Sequence, residues 1–97
     1  MATIFPVRTG VGRAEIPALC AALATLLHGR EPDVVLCEVA GPGPPGVATV
    51  EALARLRLTA QRHGWQLRVH GMTTELHRLI ALLGLTATLP ADGDAGP

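Results

Sequence analysis

The chain has 97 residues, which is enough for one domain that buries roughly 60–65% of its unfolded surface in a single core. Eight arginines balance eight acidic residues, so no long-range field favours nucleic acid, an anionic membrane or an acidic substrate. Lysine and tyrosine are absent, and one tryptophan and one phenylalanine cannot form a platform for stacked bases. We therefore expect no nucleic-acid partner.

The two cysteines, Cys20 and Cys37, lie in apolar surroundings and do not form a C-x-x-C pair. They are typical of small buried side chains in a reducing compartment, not of a disulfide or zinc site. The apolar segment 16–27 begins late and contains Pro17, which argues against a signal peptide, and it is too short to span a bilayer. We expect a cytoplasmic protein without membrane insertion.

The first half of the chain predicts a strand, a helix and a second strand. Thr3–Arg8 is predicted to be a strand that Pro6 confines to a sheet edge or an irregular position. A helix is predicted from residue 13 or 14 to residue 28, with Pro17 in its first turn. Residues 34–39 are almost continuously apolar and β-branched, which is typical of a central strand covered on both faces.

The second half predicts a helix at 49–63, a strand at 65–70 and a helix at 73–83. The strand alternates between apolar and polar residues, so one of its faces should contact water. A short strand is predicted at 86–89, and residues 91–97 have the composition of a disordered tail. We expect one domain over residues 1–90.

Three glycines agree with the predicted helix ends. Gly29, Gly64 and Gly84 each follow a helical segment, where a left-handed residue closes the last turn. His28 and His63 precede two of these glycines, where a cation suits the helix dipole. The order is β-α-β-α-β-α, which predicts an α/β fold with a small, mainly parallel sheet covered by helices.

The loop at 41–46 reads Gly-Pro-Gly-Pro-Pro-Gly and matches G-x-G-x-x-G between a strand and a helix. A phosphate cradle needs backbone N–H groups, and the three prolines supply none. The acidic residue expected about twenty residues further on is also missing. A stiff connection is the better interpretation, with nucleotide or metabolite binding kept as an alternative.

Catalytic and metal-binding groups are sparse. The chain has no serine, and neither cysteine has a neighbouring histidine to activate it. Glu38 is a single carboxylate near the end of the central strand, and His70 and His77 lie on different elements. We expect no enzymatic activity, no metal and no cofactor.

The first helix is apolar on nearly every side over residues 14–27. Such a helix has to be covered on most of its surface. The sheet could supply this cover, or a partner or second copy could, and the residues leave both open.

The order of segments resembles the STAS domain, which bacterial anti-anti-sigma factors share with the cytoplasmic tails of sulfate transporters. The matching segments are the strand VVLCEV, the helix ALARLRLTAQRHG, the strand WQLRVHG and the helix TTELHRLIALLGL. Upstream, TIFPVR and RAEIPALCAALATLL fit the family's preceding strand and helix. The family's usual extra strand before the first one is missing, which would leave a sheet edge open to pairing.

The resemblance implies a non-enzymatic regulatory module. In the family's regulatory members, an anti-sigma kinase phosphorylates an Asp-Ser/Thr-Ser-Gly loop, and the unmodified protein binds that kinase. Aligned without a gap, these four positions fall on Gly46, Val47, Ala48 and Thr49, and none of them matches. Thr49 would need a two-residue shift to be the phosphoacceptor, and helix capping is a commoner role for threonine there.

These observations predict an anti-sigma-factor-antagonist-like module that binds proteins without the usual phosphorylation switch. The partner is an anti-sigma or kinase-like protein, or alternatively a transport ATPase of the ABC type to which the chain would be an accessory subunit. A homodimer is also compatible with the residues. The predicted contact residues are Glu38, Gly43, Gly46, Val47, Ala48, Thr49 and Val50.

Overall fold

The computed structural model describes residues 3–84, which form three strands and three α helices. The elements are β1 (Thr3–Arg8), α1 (Ile16–Leu27), β2 (Val34–Ala40), α2 (Val47–Arg62), β3 (Gln66–His70) and α3 (Thr74–Leu82). A turn of 3₁₀ helix, Arg13–Glu15, precedes α1. The element order predicted from the sequence is confirmed. The predicted strand at 86–89 and the tail at 91–97 lie outside the described residues.

The sheet is parallel and has the strand order β1-β2-β3, so β2 is central. Each strand lies beside the next one in the chain. Helix α1 connects β1 to β2, and α2 connects β2 to β3. Because both connections have the same handedness and run in the same direction across the sheet, both helices lie on the same face. Helix α2 accordingly packs between α1 and α3.

Side chains on the helix-covered face of the sheet form the core. Phe5 and Val7 of β1, Val35, Cys37 and Val39 of β2, and Leu67 and Val69 of β3 are buried. The intervening side chains are exposed or half-buried. The alternation predicted for β3 is therefore confirmed, since Gln66, Arg68 and His70 are exposed.

The prediction that helices cover both faces of β2 is wrong. Glu38 and Ala40 are exposed, and Val34 and Leu36 are half-buried on the face without helices. A continuous apolar run indicates that a strand is central, but coverage depends on where the crossovers lead. Here the strand order reverses nowhere, so none of the helices within residues 3–84 reaches the second face.

Helix ends follow the local signals, but two helix starts are shifted. Helix α1 begins at Ile16, after the 3₁₀ turn, and not at residue 13 or 14. Gly29, Gly64 and Gly84 have φ angles of 76°, 78° and 72°, as expected for glycines that close a helix. At the start of α3, the Thr73 hydroxyl accepts a hydrogen bond from the Leu76 N–H at 3.2 Å. Helix α2 starts at Val47 and not at residue 49, with Gly46 as its N-cap.

Helix α1 is covered on one side only. Ile16, Leu23 and Leu27 are buried, and the exposed side is formed largely by small side chains such as Ala18 and Ala21. Alanine presents little apolar area to water, so an apolar sequence can stay half-exposed here.

Within residues 3–84, Pro6 lies on an edge strand of the sheet, as predicted. The Thr9 N–H donates to the Ala40 carbonyl at 3.0 Å, so odd-numbered residues of this segment point their backbone groups toward β2. The position of the missing Pro6 N–H is therefore on the outer edge, where no ladder bond is lost. The proline instead removes a donor that an added strand would need.

Burial of Cys37 leads to a testable difference between the two thiols. Burial raises the pKa of the Cys37 thiol from 9.0 to about 12, whereas Cys20 is only half-buried. Because the thiolate is the reacting species, we expect the native protein at pH 8 to be alkylated at Cys20 well before Cys37. Peptide mapping after iodoacetamide treatment measures this, and equal rates would contradict it.

The same pKa shift gives a pH dependence of stability. The unfolded thiol loses its proton above pH 9.0, but the folded one keeps it to about pH 12. The Cys37 contribution to the free energy of unfolding should thus be constant below pH 9.0 and decrease as the pH rises toward 12. Replacing Cys37 with alanine should remove this component from the pH profile.

Candidate functional site

The candidate site lies at the carboxyl ends of the parallel strands, where open α/β sheets usually place their functional loops. The 41–46 loop leaves β2 there and leads directly into α2. Gly41 and Gly43 have φ angles of 132° and 90°, a conformation that other residues rarely adopt. A Cβ on Gly41 would lie 3.2 Å from the Thr9 hydroxyl oxygen, so the loop passes close to the end of β1.

Thr9 attaches this loop to the sheet. Besides its ladder bond to Ala40, its hydroxyl donates to the Pro42 carbonyl at 3.2 Å. Its own carbonyl accepts a hydrogen bond from the Thr49 hydroxyl at 2.7 Å. Thr9 is buried, and a lone threonine after an edge strand carries no sequence signal for this role.

Thr49 is buried at 1% exposure, and both hydrogen-bonding capacities of its hydroxyl are used. It donates to the Thr9 carbonyl and accepts from the Gly46 N–H at 3.1 Å. Thr49 therefore takes part in capping α2, as predicted, but it is not the N-cap residue itself. It is the third residue of α2, and it reaches back to satisfy the N–H of the glycine that caps the helix.

The exposed part of the site is the first turn of α2 and the loop before it. Val47 is 50% exposed, whereas Ala48 is half-buried and Val50 is buried. Gly43 and Gly46 are exposed and lie in the loop that leads to Val47. The surface that a partner can reach from this side is therefore largely uncharged backbone and one valine side chain.

Charged residues flank this uncharged surface on one side. The Arg13 Nε lies 3.0 Å from Glu51 Oε1, which ties the 3₁₀ turn to α2. Arg55 lies 4.0 Å from the other oxygen of the same carboxylate. Two arginines on one glutamate make this rim of the site positive.

Glu38, predicted as part of the contact region, lies elsewhere. Its side chain is exposed on the face of the sheet without helices, where it lines a hollow with Ile4, Leu36 and His70. Val50 and Thr49 are buried on the opposite, helix-covered side. The structure thus brings residues 43–50 together and separates Glu38 from them.

The 41–46 loop does not line the hollow that the structure shows beside β1. A hollow of about 460 Å³ lies beside β1 and is lined by residues that include Arg8, Val11 and Glu15, but none of the 41–46 loop. Within residues 3–84, no group of three or more His, Cys, Asp or Glu side chains is placed to hold a metal ion. No helix in that range is long and apolar enough to cross a membrane.

The hydroxyl of Thr49 should stabilise the site measurably. Thr49→Val keeps the shape of the side chain but leaves the Thr9 carbonyl and the Gly46 N–H without their partner. We expect a loss of about 1–3 kcal/mol in the free energy of unfolding, measured by urea denaturation. The exposed Thr25 on α1 is the matched control, and Thr25→Val should change stability little. Equal losses in the two variants would contradict the role given to the hydroxyl.

These features define a class of protein. A small parallel sheet carries its helices on one face, and a loop after the central strand presents the start of the second helix. The sequence segments that resemble the STAS domain occupy these elements in the same order.

Comparison with known families agrees with this class. A family model described as "Mlab, STAS domain" matches residues 6–90, so the chain belongs to the STAS domain family. Searches of curated proteins and of solved structures found no match. STAS domains are generally non-enzymatic binding modules, and residues 6–90 of the chain form a module of the STAS type.

Proposed function

We propose that this protein binds another protein through its docking loop, by which we mean residues 43–50. The observation that carries the proposal is the combination of an exposed Val47 with a backbone held firmly behind it. The Thr9 and Thr49 hydrogen bonds order the loop before any partner arrives. A preordered loop loses little conformational entropy on binding, which favours affinity.

The docking loop acts without a phosphorylation switch. Val47, at the family's acceptor position, is the first residue of α2 and faces solvent, but it has no oxygen to accept a phosphate. Thr49 has a hydroxyl, but that hydroxyl is buried and fully hydrogen-bonded. Phosphorylation of Thr49 would require the first turn of α2 to open.

The partner is an anti-sigma or kinase-like protein in the manner of an anti-sigma-factor antagonist, or a transport ATPase to which this chain is an accessory subunit. Binding that phosphorylation does not regulate is suited to a permanent subunit of a transporter, and it is equally suited to an antagonist. With either class of partner, we expect the protein to act in the bacterial cytoplasm.

Binding to purified candidates of the two classes tests the proposal. Val47→Asp places a charge in the docking loop and should weaken binding at least about tenfold, measured by biolayer interferometry. Leu58→Asp is the matched control, because Leu58 lies on the same helix and is 49% exposed, close to the 50% of Val47. The control should bind like the unmodified protein. If both variants, or neither, lose affinity, the docking loop is not the contact.

The absence of a switch has its own test. The protein is incubated with a candidate anti-sigma kinase and ATP, and its intact mass is then measured, with Thr49→Ala as control. We expect no mass increase for either protein. A phosphate on the unmodified chain that Thr49→Ala abolishes would show that the first turn of α2 opens and that the switch is retained.

A further inference from the structure

Within residues 3–84, one face of the sheet carries no helix and is a second exposed surface. The pairing register aligns Ile4, Leu36 and Arg68 in one row across the three strands, and Pro6, Glu38 and His70 in the next row. Ile4 is 58% exposed, although isoleucine is usually buried. The two rows thus join apolar side chains with charges of both signs.

A shallow hollow lies within this face. It has a volume of about 230 Å³ and is lined by Ile4, Leu36, Glu38 and His70. Its apolar wall is formed by the side chains of Ile4 and Leu36. An aliphatic side chain from a facing surface fits a space of this size and loses its contact with water there.

Glu38 and Arg68 give this face charges of opposite sign. Arg8 is already paired with Glu15 at 2.9 Å. Among the salt bridges within residues 3–84, none involves Glu38 or Arg68. Glu38 is aligned with His70, so Arg68 is its diagonal neighbour on the adjacent strand.

We propose that a second copy of this chain packs on the face, with the two sheets face to face. Glu38 of each copy then lies against Arg68 of the other, and the apolar side chains of Ile4 and Leu36 in the two copies pack against one another over the hollows. A partner of a single charge would be repelled either by Glu38 or by Arg68. A two-fold copy carries both signs and satisfies both contacts at once.

The small area of this face limits the affinity of the proposed dimer. Three strands spaced about 4.8 Å apart form a narrow surface. Its area falls short of the roughly 800 Å² per partner that stable complexes bury. The dimer is therefore weak and reversible, with a dissociation constant on the order of tens of micromolar or above.

Charge reversal tests the proposed contact, measured by sedimentation equilibrium of the full chain over a range of concentrations. Glu38→Arg and Arg68→Glu each replace two attractive contacts by two repulsive ones, so each should raise the dissociation constant at least about tenfold. The double variant with both changes restores the pairing and should dimerise like the unmodified protein. A mixture of the two single variants should form a heterodimer. Both side chains are exposed, and circular dichroism confirms that each variant is folded.

The outcomes separate this surface from the docking loop. Val47→Asp should leave the dimer unchanged, and a loss of the dimer in that variant would place the contact at the docking loop. An unmodified chain that stays monomeric up to millimolar concentration would overturn the proposal. So would single variants that dimerise normally, or a double variant that does not recover. None of these results bears on whether the docking loop binds its own partner.

Discussion

Replacement of Leu53 by alanine is expected to lower the free energy of unfolding by about 3 kcal/mol, because a large side chain in a closed core leaves a cavity. Leu53 lies on α2 and is 0% exposed. Domains of this size are stable by only about 5–15 kcal/mol in total, so the loss is a large fraction. A thermal melt should show a decrease of roughly 15 °C in Tm.

The same change at Leu58 controls for the chemistry of the substitution. Leu58 is on the same helix, but it is 49% exposed and has no closed space around it. Leu58→Ala should change stability by no more than about 0.5 kcal/mol. If the two variants melted together, the placement of α2 with Leu53 toward the sheet would be wrong.

Replacement of Gly71 by alanine should cost about 3 kcal/mol, since left-handed backbone strain and a steric clash add together. Gly71 follows β3 with a φ of 80°, and an added Cβ would lie 2.8 Å from the Val39 carbonyl oxygen. That oxygen belongs to the backbone of β2 and cannot rotate away. The end of β2 would have to shift, and the 41–46 loop follows it directly.

Gly84→Ala separates the two contributions to this loss. Gly84 has a similar φ of 72°, but nothing lies within 4 Å of an added Cβ. Its replacement should cost only the backbone strain, about 1–2 kcal/mol. Urea denaturation of both variants gives the difference, and a Gly71→Ala loss no larger than that of Gly84→Ala would contradict the clash. Gly71→Ala should also weaken partner binding, because the docking loop moves with the end of β2.

The local sequence was sufficient to predict the helices and strands and the glycines at which the helices end. Residues 66–70 alternate in polarity, and the strand there has one buried and one exposed face. Glycines at 29, 64 and 84 adopt the left-handed conformation that their position after a helix predicted. These features depend on contacts within a few residues, so the pattern of neighbours carries the information. The β-α-β-α-β-α order and the family resemblance followed from them.

The tertiary structure decided what depends on distant residues. The bare face of β2 results from the strand order, and the apolar run at 34–39 cannot reveal that order. The hydrogen bond from Thr49 to Thr9 joins residues forty positions apart, so the local pattern indicated the capping role of Thr49 but not this tertiary bond.

For the 41–46 loop, one property followed from the local sequence and two others followed only from the tertiary structure. Its prolines alone argued against a phosphate cradle, because they lack the N–H donors. Its attachment to Thr9 and the exposure of Val47 required the folded chain, since burial and long-range hydrogen bonds arise only when the strands and helices have packed together.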